Sequence, residues 1–71
     1  MKRKIFTKAI LKKSNSINEA IENLANTGLQ ICFICEGKKL IGTITDGDIR
    51  RAILKKKSLE TQIKEIMNKK F

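Results

Sequence analysis

Residues Gln30 to Cys35 read Gln-Ile-Cys-Phe-Ile-Cys, a nearly unbroken apolar run bounded by Gly28 and Gly37. Its length suits a strand buried on both faces better than a helix. The polar stretch Glu36-Gly37-Lys38-Lys39 then leads into Leu40-Ile41-Gly42-Thr43-Ile44-Thr45, which is β-branched and strand-like. The two runs predict a β-hairpin, and the rest of the chain must pack on it.

Upstream, Ile17, Ala20, Ile21, Leu24 and Ala25 fall at i, i+3, i+4, i+7 and i+8, so residues 17–26 form a helix with one apolar stripe. Ser16 and Glu19 have the spacing of a capping box, and Gly28 suits the left-handed turn that closes a helix. Downstream, Ile49, Ala52 and Ile53 restart helical spacing, and the cationic Lys55-Lys56-Lys57 suits a helix C-terminus. Ser58 caps a last segment in which Leu59, Ile63, Ile66 and Met67 recur at helical intervals. Residues 5–13 read as an arm or short strand, with Ile10-Leu11 its apolar pair. The order is strand or arm, helix, strand, strand, helix and helical tail: an α/β (α+β) layer too thin to cover both faces of its sheet.

Composition narrows the function. The chain has 71 residues, one small domain or part of one, and a chain of that size buries only about 60% of the surface its unfolded form exposes. It has no histidine, which excludes Ser-His-Asp and Cys-His nucleophile systems and any His-ligated metal. Two cysteines cannot make a disulfide framework. No run approaches the ~20 apolar residues of a membrane helix, and Ile5-Phe6 is too short for a signal-peptide core, so a cytoplasmic setting is the expectation. The charge balance, 16 Lys+Arg against 7 Asp+Glu or +9, raises nucleic-acid binding. The lysines are scattered, however, and Phe6, Phe33 and Phe71 are not set to stack bases from a basic face. A solvated lysine surface is the simpler reading, with weak polyanion binding at low salt.

Two motifs could carry chemistry. Cys32-Phe33-Ile34-Cys35 has C-x-x-C spacing, but residues three apart in a strand point to opposite faces, so the thiols read as buried structural groups. Gly42-Thr43-Ile44-Thr45-Asp46-Gly47-Asp48 lies where a strand ends and a helix begins. Backbone N–H groups there, joined by a threonine hydroxyl, make an anion site, and Asp48 suits a pair of ribose hydroxyls. On spacing alone, Thr45 and Asp48 are equally a plain capping pair. Arg51 lies one turn beyond Asp48, either as an i, i+3 salt bridge or facing a phosphate.

The strings Ser16-Ile17-x-Glu19-Ala20-Ile21 and Leu40-Ile41-Gly42-Thr43-Ile44-Thr45-Asp46-Gly47-Asp48-Ile49-Arg50-Arg51 resemble one repeat of the cystathionine-β-synthase (CBS) family over roughly residues 10 to 55. The Thr-Asp-Gly-Asp-Ile-Arg-Arg string is typical of repeats fused to sugar-phosphate nucleotidyltransferases and arabinose 5-phosphate isomerases. Ile63-x-Glu65-Ile66-Met67-Asn68 resembles the lead into a second repeat.

The resemblance implies a β-α-β-β-α repeat, with a three-stranded sheet and two helices on one face, over residues 1–57. Residues 58–71 would be a helical tail or linker towards a second repeat. Two such repeats pack into a Bateman module that binds AMP, ADP or ATP. It further implies a site of Gly42, Thr43, Thr45, Asp46, Asp48 and Arg51, with Thr45 on phosphate, Asp48 on ribose and adenine near Ile10. The implied role is regulatory and non-catalytic, without a metal, in a fragment of a nucleotidyltransferase or related enzyme. A second chain would complete the module as a homodimer through sheet or helix faces. The alternatives are a scaffolding element without ligand and a small basic nucleic-acid binder.

Overall fold

A computed structural model of the chain describes residues 8–70. The expected arm from Ile5 to Thr7, with Phe6, and Phe71 lie outside them. The chain runs β1 (Ile10–Leu11), α1 (Ile17–Thr27), β2 (Ile31–Glu36), β3 (Lys39–Thr45) and α2 (Asp46–Leu54), then a 3-10 turn at Ile63–Glu65. The sheet order is β1-β2-β3, with β1 parallel and β3 antiparallel to β2. Glu36 pairs with Lys39, so Gly37 and Lys38 alone make the hairpin loop, and Gly37 takes the positive φ that such a loop demands.

α1 begins as its sequence dictates. The Glu19 N–H donates to Ser16 Oγ at 3.1 Å, and the Ser16 N–H donates to Glu19 Oε1 at 2.8 Å. That backbone donor, followed by the Asn15 amide, holds the Glu19 carboxyl below its ordinary pKa. Gly28 closes the helix at φ 71°, its N–H donating to Leu24 O. α2 ends differently. Lys57 N–H donates to Ala52 O and Lys56 N–H to Ile53 O, a Schellman pattern that puts Lys56, a non-glycine, at φ 62°.

Both helices pack on one face of the sheet. Ile17, Ala20 and Leu24 of α1 meet Cys32 and Ile34 of β2, Ile44 of β3 and Ile49 and Ala52 of α2. Two expectations need correction here. The apolar run of β2 is buried on one face only: Cys32 and Ile34 are fully covered, whereas Ile31, Phe33 and Cys35 are half-buried. With helices on a single face, the other face of a strand keeps its exposure. Of the α2 stripe only Ile49 and Ala52 are buried, and Ile53 is 52% exposed.

Residues 58–70 form no α-helix. Their apolar spacing serves to put Ile63 into the core, at 0% exposure, and to lay Met67 beside it. The backbone is also committed elsewhere. Thr61 O and Leu59 O accept from the Ile17 and Asn18 N–H groups, and Ile63 N–H donates to Asn15 O. Asn68 then exchanges two backbone hydrogen bonds with Thr43, at 3.0 and 2.8 Å, along the outer edge of β3. The segment is therefore a belt from the start of α1 to the end of the sheet.

Candidate functional site

The junction of β3 and α2 gathers five polar side-chain and backbone groups. Thr45 is the last residue of β3 and the N-cap of α2. Its N–H and its hydroxyl both donate to Asp48 Oδ2, at 2.9 and 3.1 Å, while Asp48 N–H donates to Thr45 Oγ1 at 3.4 Å. Arg51 Nη2 donates to Asp48 Oδ1 at 2.6 Å from the next turn. Thr45 and Asp48 thus form a capping box as well as sharing a site, and both readings of that motif coexist in one geometry.

The first turn of α2 is otherwise open. Among the described residues, no acceptor meets the N–H groups of Asp46 and Gly47. Orphan donors at a helix start attract negative charge. Further along α2, from Asp48 towards the C-terminal end of the helix, runs a cleft of about 170 Å³ bordered by Asp48, Arg51, Lys55, Lys57 and Glu65. Neither Lys55 nor Lys57 has a carboxylate at ion-pair distance among the described residues. Their part in the cleft was missed in the sequence, where the lysine run reads as a helix terminus. Only the fold brings Glu65 and Ile66 of the belt against it.

The remaining candidates separate. Gly42 faces the core side of β3, and a Cβ there would stand 2.7 Å from Met67 Sδ, so the close approach it permits is made by the chain's own belt. Thr43 is 7% exposed, its backbone tied to Asn68. Asp46 turns away from Asp48 and borders the groove between the helices with Gly28, Leu29, Gln30 and Ile53. Its charge reaches Cys32, whose thiol is pushed up to about 11, chiefly by burial. Ile10 shares the open sheet face with Phe33, its register partner, while Thr43 and then Thr45 follow on β3. Strand spacing and rise put Ile10 and Thr45 about 12 Å apart across that face. Ile10, Phe33, Cys35 and Leu40 line a wholly apolar shallow cavity on it.

The cysteines separate as their spacing requires. Cys32 Sγ lies in the core near Asn23 Oδ1 (3.3 Å), and Cys35 is half-buried on the open face; both are free thiols. Among the described residues no three acidic or sulfur side chains converge as a metal set, and no helix is long and apolar enough to cross a membrane.

Comparison with known proteins matches residues 1–55 to the family model of the CBS domain. The chain is 36% identical over 53 residues to the arabinose 5-phosphate isomerase GutQ of Escherichia coli, covering 73% of this chain and 16% of the isomerase. It superposes with a TM-score of 0.79 on a CBS domain protein of Pyrobaculum aerophilum complexed with AMP. That protein is 21% identical, over 84% of this chain and 48% of its own. A signal-transduction protein with CBS domains from Burkholderia ambifaria gives a TM-score of 0.78 at 27% identity, over 86% and 46% of the two chains. The chain spans less than half of either solved structure and a small fraction of the isomerase.

Proposed function

This chain belongs to the CBS domain family, and from that premise we propose that it is a regulatory module binding an adenosine nucleotide between two paired repeats. The family is one of regulatory modules, and its solved AMP complex motivates the ligand class. The carrying observation is the open start of α2, where two unpartnered N–H groups, the Thr45 hydroxyl and the Arg51 guanidinium stand together. In this reading the phosphate lies on that turn, with Thr45 and Arg51 donating to it. Asp48 accepts from the ribose hydroxyls, and adenine lies over the apolar face near Ile10. Binding alters the orientation of two repeats, and through it an attached enzyme of sugar-phosphate chemistry such as a nucleotidyltransferase in the cytoplasm.

The second repeat covers the open sheet face, where Ile10 is 44% and Leu40 36% exposed. An apolar face of that kind needs a partner, and a two-fold pair of these chains is the simplest closed solution. Light scattering at tens of micromolar reads twice the 8.1 kDa chain mass; a monomer refutes the pairing.

Calorimetry with AMP tests the ligand. Asp48→Ala is expected to weaken binding at least tenfold, with the fold kept as read by circular dichroism. Equal affinity in the variant removes Asp48 from the site. One observation favours a second reading, a pairing element without ligand: Asp48 is already satisfied within its own chain. That reading predicts no thermal shift with millimolar AMP. A ligand at 100 times its Kd stabilises by about 2.7 kcal/mol.

A further inference from the structure

Resting on the adenylate reading above, we infer that Arg51 is a phosphate-operated latch on Asp48, so that the site takes nucleoside phosphates and discriminates against nucleosides. The argument is one of acceptor capacity. An ionised carboxylate offers about four lone-pair positions. In this structure Oδ2 of Asp48 accepts twice, from the N–H and the hydroxyl of Thr45, and Oδ1 accepts from Arg51. One position remains, whereas the two neighbouring hydroxyls of a ribose require two.

The groups that fill Asp48 are those a phosphate would draw away. Asp48 is shielded, its side chain 14% exposed, while the Arg51 side chain is 65% exposed and free to reorient. Its guanidinium rests against Gly47, where a Cβ would stand 3.3 Å from Nη1. The arginine therefore lies directly over the turn whose Asp46 and Gly47 N–H groups are open. A phosphate held by those donors sits beside a planar fork that matches two of its oxygens. When Arg51 turns to the phosphate, Oδ1 is released, and the Thr45 hydroxyl, donating to the same phosphate, releases a position on Oδ2. The diol then finds its acceptors. A nucleoside brings nothing to draw Arg51 away and meets a carboxylate already held. The exposed i, i+3 pair contributes little to stability by itself, so its removal leaves the fold standing.

Calorimetry on the full chain with AMP and with adenosine decides the matter. Wild type is expected to bind AMP at least thirtyfold more tightly than adenosine. Arg51→Gln narrows that ratio tenfold or more, by weakening AMP while adenosine binds as tightly as before or more so. Gly47→Ala, which crowds the guanidinium without removing it, narrows the ratio by a smaller factor through gain of adenosine affinity. Loss of both ligands in parallel, or an unchanged ratio in Arg51→Gln, overturns the latch and leaves adenylate binding intact. Failure of wild type to bind either ligand overturns the adenylate reading and the latch together.

Discussion

The two helices of this chain begin with the same device and meet different surroundings. Ser16 with Glu19, and Thr45 with Asp48, are both complete capping boxes. At α1 the two N–H groups that the box leaves over are met by Thr61 O and Leu59 O of the belt. At α2 the equivalent N–H groups of Asp46 and Gly47 stay open, and an arginine is drawn over them. A capping box by itself therefore says nothing of function. What sets the proposed ligand site apart from a closed helix end is the set of donors still unmet once the box is made, which at the exposed start of α2 are open to water or to an anion.

That comparison breaks most severely if the belt is released. Ile63 is fully buried, so Ile63→Ala is expected to cost about 2–5 kcal/mol in urea denaturation. Hydrogen exchange sharpens the result. In the intact chain the Ile17 and Asn18 amides are protected and those of Asp46 and Gly47 exchange fast; in the variant all four exchange alike. Persistent protection at Ile17 would mean that the belt does not close α1.

A gentler intervention addresses the boxes themselves. Ser16→Ala and Thr45→Ala each remove one cap and are expected to cost about 1 kcal/mol of stability. Only Thr45→Ala is expected to weaken AMP as well, measured at equal folded fraction. An equal effect of the two on AMP would make the loss at Thr45 a matter of stability alone.

How much of this was legible beforehand follows from the range of the interactions. The hairpin, α1 with its cap and its Gly28 end, and the start of α2 rest on contacts within a few residues, and the sequence pattern locates them within a residue or so. The Thr45–Asp48–Arg51 cluster was legible for the same reason, lying within two turns of one helix. The belt was not. Leu59, Ile63, Ile66 and Met67 have helical spacing, but the long-range backbone partners of Leu59, Thr61, Ile63 and Asn68 in this segment are Asn18, Ile17, Asn15 and Thr43, far away in sequence. The role of Gly42 and the divergence of Asp46 from Asp48 were hidden likewise, since each depends on a neighbour supplied by tertiary packing.

The contact between Gly42 and Met67 has a consequence for how such a chain can change. Because a methyl group at position 42 would collide with the thioether, these two sites, far apart along the polypeptide, are constrained to vary together. A chain bearing alanine at 42 must turn the Met67 side chain aside, carry a smaller one there, or shift the Asn68 backbone at the strand edge. The turn proposed to face the nucleotide begins three residues after this joint, so drift at one remote methionine reaches the start of α2 through a single glycine.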